Sequence, residues 1–525
     1  MTTAQSTAAH MRKRLYDDMD ALEGVERAVL DAQAAREKAQ AALELAQAGF
    51  DMAVANEQDL LERRAALCAG TLRLRNSLQT MATFPPEILA MVCAEAVSVR
   101  WEENASAIPA IDWGAARAPS RFSLVNRHWR HAILSAPRCW TYLVIGVVIP
   151  SETVEPMLQQ VDLFLQRSRS LLIDVNLAMA WTATEVQADG ILRLLMANLR
   201  RIRSLRICTG PGFLPRTPET AIQYNEMFLP KIVALLQRPT PELVHLQISC
   251  DGADLVDEEI YWQGFPDDFP FLLPTAPKLQ SLFVSSAPIL CARPHPIGLP
   301  SLRTLVLNSG LPVYDSLLWD TIAMAPQLDV LVVEVESGGE SAGHPLQLPD
   351  SIPITRLKLH ADATFPAEVE CPRLQRFEFA SWRLDTFPIS DSMCSTITTL
   401  LLEDARFAAD EVDAMRSLHV VEHASVSGAP WRVDDAQFYT LLCNAVDPMW
   451  PRLRHLELWR VQSSVNVSER NGLLNLVRAR NVSHGSESGP PPLEKLEIDE
   501  QSAPGWVAAE VTKNMGAKFV IRASK

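Results

Sequence analysis

One six-residue phrase returns along the chain and constrains its architecture more than any other feature. It reads apolar, two others, apolar, one other, apolar. It occurs as IRSLRI (202–207), LVHLQI (243–248), LQSLFV (279–284), LRTLVL (302–307) and LDVLVV (328–333). It continues as ITRLKL (354–359), LQRFEF (374–379), ITTLLL (397–402), LRHLEL (453–458) and LEKLEI (493–498). Proline stands one or two residues ahead of many copies, as in PELVHL, PKLQSL, PSLRTL and WPRLRHL. From Leu279 through Leu302, Leu328, Ile354, Leu374 and Ile397 the steps are 23, 26, 26, 20 and 23 residues. Ten copies at such spacing require a stack of like units, each burying its apolar face against the next.

The closing apolar-x-apolar of each copy is the alternation of a strand. The phrase and its period are those of leucine-rich repeats. They predict an α/β solenoid with a parallel sheet on its concave face and helices behind, such as YDSLLWDTIAMA (314–325). Repeat lengths vary, and the Asn or Cys usual after the second strand leucine is mostly missing. An irregular solenoid is therefore expected over 143–525. Residues flanking the apolar positions must face the other way. That places Arg356, Lys358 and His360, then Arg376 and Glu378, then His455, Glu457 and Trp459 on the concave surface. Lys495, Glu497 and Asp499 close the series. Basic beside acidic residues, with an exposed tryptophan between, suits a charged protein substrate, since Trp and Arg dominate binding hot spots.

Residues 11 to about 80 contain no proline before the end of the stretch and are rich in Ala, Leu, Glu, Gln and Arg. These are strong helix formers. Apolar residues at Leu15, Met19, Leu22 and Val29 follow heptad spacing, lapse at Gln33, Arg36 and Gln40, and resume at Leu43, Phe50, Val54 and Leu61. An interrupted seam fits a helical hairpin or a weak coiled coil equally. A helical region over 1–81, with self-association through it possible, is the expectation.

Between helix and repeats, residues 82–142 form a smaller unit. Pro85 and Pro86 mark a helix start, where a missing N–H costs nothing. Ile88, Leu89, Val92 and Ala96 make one apolar stripe. A polar loop, RWEENASAIPAIDWGAARAPS (100–120), leads to Phe122, Leu124, Val125, Trp129 and Ile133 at helical spacing. A break at Pro137 precedes Trp140. So small a unit has more apolar surface than it can bury, which points to a partner or neighbouring domain.

FPPEILAMVCAEAV followed by RFSLVNRHWRHAILSAPRCW resembles an F-box. The order of helical region, F-box and irregular repeats looks like the large F-box families of mushroom-forming fungi. The resemblance implies docking on a Skp-type adaptor of a cullin–RING ubiquitin ligase through Phe84, Pro85, Pro86, Ile88, Leu89, Val92, Leu124, Val125 and Trp129. It further implies that the repeats bind the protein to be ubiquitinated and that Trp140 fastens the two domains. The alternative is a stand-alone repeat scaffold with a degenerate F-box. Asn126 stands where the family has cysteine, and Cys139 where it has leucine before the last tryptophan.

Net charge is −15, which disfavours nucleic-acid binding because phosphates would be repelled. The longest apolar run, YLVIGVVIP, is too short to span a bilayer. The first residues lack the apolar core of a secretory signal, and nine cysteines are scattered without a CxxC pair. An intracellular protein, cytoplasmic or nuclear, follows as the expectation. No cofactor is called for and no enzyme is expected. GSESG (485–489) has Glu487 where a nucleophile elbow needs serine, no P-loop occurs, and His128 and His131 lack further ligands at metal spacing.

Overall fold

The computed structural model describes residues 2–78, 84–97, 112–147, 154–180, 185–210, 228, 230–250, 273–285, 299–313, 321–337, 350–360, 365, 369–380, 389–403, 415–428, 435–444, 447–459, 472–481, 490–500 and 505–522. The chain divides into two compact units, Met1–Pro85 and Pro86–Lys525.

The first unit is one helix, α1 (Thr2–Leu78). The hairpin alternative is thereby excluded: with no proline or turn sequence to break it, the backbone continues for 77 residues, about 115 Å. Its support is local. Glu23 pairs with Arg27 and Asp59 with Arg63, while Gln47 donates to Asp51 at 3.0 Å and Gln58 to Glu62 at 3.1 Å. Such i,i+4 contacts each contribute a few tenths of a kcal/mol, ~0.2–0.5. From Met11 to Leu74 its large apolar residues are exposed.

The second unit opens with three helices, α2 (Pro86–Val97), α3 (Trp113–Ser123) and α4 (Arg127–Ser135). A 3-10 turn, Pro137–Trp140, leads into the sheet. The α3 helix corrects the expected loop over 100–120. Asp112 caps it, its Oδ1 accepting the Ala115 N–H at 2.9 Å; residues 100–111 lie outside the described set.

Among the described residues fourteen strands follow, every one parallel to its neighbour and ordered as in the chain. They are β1 (Tyr142–Val147), β2 (Ile173–Ala180), β3 (Ile202–Gly210), β4 (His245–Cys250), β5 (Ser281–Ser285), β6 (Thr304–Val313) and β7 (Val330–Ser337). Then come β8 (Arg356–His360), β9 (Arg376–Ala380), β10 (Thr399–Glu403), β11 (His423–Ser427), β12 (His455–Trp459), β13 (Lys495–Asp499) and β14 (Phe519–Arg522). Strands that pair only with their chain neighbours build a solenoid-like stack. Helices α5 (Val154–Arg167), α6 (Glu185–Asn198), α7 (Asp391–Cys394), α8 (Asp435–Cys443), α9 (Gly472–Asn481) and α10 (Gly505–Met515) lie between strands. Of the helix expected over 314–325, Thr321–Ala323 is helical and 314–320 lies outside the described residues.

The prolines ahead of the phrase have a specific task. Six times the N–H of the leading leucine returns to the carbonyl three residues earlier, at 3.0–3.2 Å: Leu243 to Thr240, Leu279 to Ala276, Leu302 to Leu299, Leu328 to Ala325, Leu374 to Cys371 and Leu453 to Trp450. Pro241, Pro277, Pro300, Pro326, Pro372 and Pro451 each follow that carbonyl residue. This is the second position of a β-turn, where proline's fixed φ is already correct. Every turn thus delivers its chain into the next strand at the same angle. Leu305, Leu331, Leu357, Phe377, Leu400 and Ala424 then stand side by side, all fully buried. Burying each such leucine contributes ~1.5–3 kcal/mol. One hydrophobic cluster runs from Cys93 to Met515.

Four strands lie outside the ten phrases. In β1 the phrase is present as Trp140-x-x-Leu143-x-Ile145, with a tryptophan in the leading position. In β11 it is Val421-x-x-Ala424-x-Val426, with alanine in the middle. A register shift between Ile173 and Asp174 breaks the spacing in β2. β14 follows the 3-10 turn Gly516–Lys518, where the leading apolar residue is missing.

Candidate functional site

Two surfaces were singled out by the sequence, one on the helices before the sheet and one on the sheet face opposite the core.

On the helices, the expected single stripe of α2 divides. Leu89, Cys93 and Val97, spaced by four, point inward and are buried. Ile88 and Val92 are each 41% exposed and Met91 65%. A helix turns 100° per residue, so positions 88 and 89 cannot serve the same face equally. Trp129 is also interior, its ring 5.5 Å from Phe122. Leu89 and Trp129 therefore support the surface rather than line it. Leu124 and Val125 fall in the turn between α3 and α4 and are strongly exposed. Phe84 is half-buried, Pro85 exposed, and Pro86 opens α2.

The two departures from the F-box pattern have local physical roles. Asn126 is the N-cap of α4, its side-chain oxygen accepting the Trp129 N–H at 2.9 Å, a bond a cysteine makes poorly. Cys139 is fully buried and donates to the Ala90 carbonyl on α2 at 3.4 Å. Its hydrogen bond to Cys93, with burial, pushes the Cys93 thiol well above its ordinary range. That keeps Cys93 protonated and unreactive.

Trp140 is buried where helices meet sheet. Its Nε1 donates to the Ile133 carbonyl of α4 at 2.9 Å. Its ring meets Phe164 of α5 edge-on at 4.8 Å, and the Arg167 guanidinium lies 4.4 Å above it. One side chain thus touches α4 and α5 and leads β1.

On the sheet face, the alternation places the named residues opposite the core, yet they do not stand free. Glu378 is 4% exposed. Arg356 reaches it at 2.7 Å from the preceding strand and Arg376 at 2.8 Å from its own. Lys358 is buried, 2.5 Å from Glu334 on β7 and 3.4 Å from Glu403 on β10. Burial alone would lower its ammonium; the surrounding carboxylates outweigh that and leave it raised. His360 is half-buried. Neighbouring strands lie under 5 Å apart, so opposite charges on adjacent strands meet and neutralise one another. The expectation of separate, exposed basic and acidic clusters is corrected accordingly.

The C-terminal strands repeat this pattern. Glu457 accepts from His423 at 3.2 Å and from the Trp459 indole at 3.4 Å. The His423 hydrogen bond holds its carboxyl down at about 2. Trp459 is half-buried rather than exposed, with Arg522 5.9 Å over its ring. Glu497 is 1% exposed between Lys495 and Arg522, the latter at 2.6 Å, and Asp499 is buried as well. His455 stands 3.6 Å from Glu494 and stacks edge-on to His423. Sequence reasoning missed Glu334, Glu403, His423 and Arg522. His423 could have been found from the Val421-x-x-Ala424-x-Val426 phrase that precedes and follows it.

Among the described residues no group of three His, Cys, Asp or Glu side chains is placed to hold a metal ion. Among them, too, no helix is long and apolar enough to cross a membrane. No protein-family model matches the chain, and no curated protein matches it.

Proposed function

We propose that the protein is the substrate-receptor subunit of a Skp–cullin–F-box ubiquitin ligase in the cell interior. The helices α2–α4 dock on the Skp-type adaptor, and the repeat face binds the protein to be ubiquitinated. One observation carries the adaptor half. The interior of the helical unit is already filled by Leu89, Cys93, Val97, Trp129 and Ile133, yet Ile88, Met91, Val92, Leu124 and Val125 remain exposed. Apolar side chains held outward on a short helix and the neighbouring turn are those a partner would cover. On the repeat face, Glu378 and Glu497 are enclosed by cations, so substrate contacts fall to the partly exposed Arg376, His455, Trp459, Lys495 and Arg522.

The test is a pull-down with purified Skp-type adaptor, using wild type and Ile88→Asp/Val92→Asp. The wild type is expected to bind. The variant is expected to lose binding with an unchanged thermal melt, because charge would enter an apolar contact while the core stays intact. A wild type that fails to bind would leave the stand-alone scaffold; a variant that binds normally would move the docking face elsewhere.

A further inference from the structure

We propose that α1 associates with α1 of a second copy of the chain, antiparallel, crossing near residue 45. The helix offers an exposed seam in strict alternation of three and four residues, beginning Leu15, Met19, Leu22 and ending Val54, Leu61, Cys68. This spacing is the one that buries a stripe between two helices. Five seam positions between residues 15 and 75 are charged, namely Glu26, Arg36, Glu57, Arg64 and Arg75, and these decide the geometry.

A parallel, in-register pair would stack each of the five on its own twin. Two Glu–Glu and three Arg–Arg layers would then lie in the interface. Like charges facing across a seam oppose pairing. An antiparallel pair escapes this. When facing residues sum to 90, Glu26 faces Arg64 at both ends of the dimer. Val29 then faces Leu61, Leu22 faces Cys68, and Glu57 faces Gln33. The remaining charges, Arg36 and Arg75, face Val54 and Leu15, whose surfaces their aliphatic stems can cover. A slip of one heptad to a sum of 83 would set Glu26 against Glu57. A slip the other way, to 97, would set Glu26 against Thr71 and Arg64 against Gln33. Only the sum of 90 pairs opposite charges among these three registers, and it uses the helix from residue 15 to residue 75.

The local ion pairs agree with this assignment. Along this stretch, Glu23–Arg27 and Asp59–Arg63 are formed beside the seam, so the intrahelical pairs do not consume Glu26 or Arg64. The interrupted apolar pattern thus acquires a purpose: the polar positions set direction and register, as single polar core residues do in coiled coils.

The experiment uses the full chain. Light scattering at micromolar concentration is expected to give a dimer. Glu26→Arg should raise the dissociation constant about tenfold, since it replaces two attractions by two repulsions. The double variant Glu26→Arg/Arg64→Glu should restore the wild-type value. Direction is read by oxidation and peptide mass mapping. Cys68 of the two copies would lie 46 residues, about 69 Å, apart along the axis, so wild type should form no Cys68–Cys68 bridge. Leu22→Cys should create a cross-link between positions 22 and 68. A monomeric wild type would overturn the proposal. So would a wild-type Cys68–Cys68 bridge, failure of the charge swap to rescue, or a 22–22 cross-link. Far-ultraviolet circular dichroism on each variant separates lost pairing from lost helix.

Discussion

The two faces of the sheet obey different rules. On the core face, Leu305, Leu331, Leu357, Phe377 and Leu400 form a column in which every position holds the same kind of residue and every one is buried. On the opposite face, the central column runs Asn176, Arg206, Gln247, Phe283, Val306, Val332, Lys358, Glu378 and Leu401 in register. No residue type persists there. The core face is set by a demand every repeat shares, removal of apolar area from water. Where the other face carries charge, as from Arg356 to Glu378, it is set pair by pair, by which charge the neighbouring strand presents. A variant on the core face should therefore cost its own burial energy. One on the opposite face should act mainly through its partner.

The largest effect is expected at Trp140. It leads the first phrase of the stack and contacts α4 and α5 together. Trp140→Ala would empty a fully enclosed site, destabilising the second unit by ~3–5 kcal/mol in denaturant titration. Phe50→Ala on exposed α1 should leave that transition unmoved. An unchanged midpoint for Trp140→Ala would end the claim that the phrase begins at β1.

Next comes Arg480 on α9, a charged side chain within the interior. It is fully buried and donates to the carbonyls of Leu442 at 3.1 Å, Leu453 at 3.0 Å and Trp450 at 3.3 Å. Burial lowers its guanidinium to about 10, so it stays charged at neutral pH. Leu442 stands in the last turn of α8, whose carbonyls lack helical partners. Trp450 sits in the left-handed region at φ 55°, a conformation that must be held by its surroundings. Arg480→Met keeps the bulk but leaves the Leu442 and Leu453 carbonyls without that donor, while Trp450 keeps the Leu453 N–H, at ~2–4 kcal/mol. Arg480→Lys should recover only part, since an ammonium lacks the planar fork. A melt in which Met equals wild type would show that packing, not hydrogen bonding, is what Arg480 supplies.

The same division governs what could be read in advance. Ten of the strands announced themselves because leucine, isoleucine, valine or phenylalanine fills each phrase. β11 was hidden by Ala424, which is buried in the column but carries little apolar signal. β2 spells the phrase as LIDVNL (172–177), but its buried leading residue is Ile173, one place later, where the register to β3 shifts. The helix α3 was hidden by the glycine and proline within it, although Asp112 three residues before Ala115 is a capping signal. On the α2 helix, Ile88, Leu89 and Val92 read as one apolar stripe, and only the inward spacing of Leu89 with Cys93 and Val97 separates it from the outward Ile88 and Val92. The opposite face was legible in direction and not in availability. Alternation says that Lys358 and Glu378 leave the core; only register says that Glu334, Arg356 and Arg376 meet them. Arg480 was illegible because its acceptors are backbone groups 27 to 38 residues away.

The smallest effect is expected at Glu457, on the opposite face, and it sharpens the comparison through pH. Its carboxyl is held at about 2, first by the hydrogen bond from His423, against an ordinary value of 4.5. A carboxyl whose folded value is depressed adds stability that is complete above 4.5 and is lost as pH falls through about 2. The group is partly exposed, so solvent screening holds the contribution near ~1–2 kcal/mol. Glu457→Gln keeps the shape and an acceptor for His423 but removes the charge. Denaturant midpoints of wild type and variant should differ at pH 6 and converge between pH 4.5 and pH 2. His423→Ala should give the same convergence, because the partner supplies the shift. If Glu457→Gln tracks wild type in parallel across that range, the carboxylate contributes no charge-dependent stability. The opposite face would then be held by strand geometry alone.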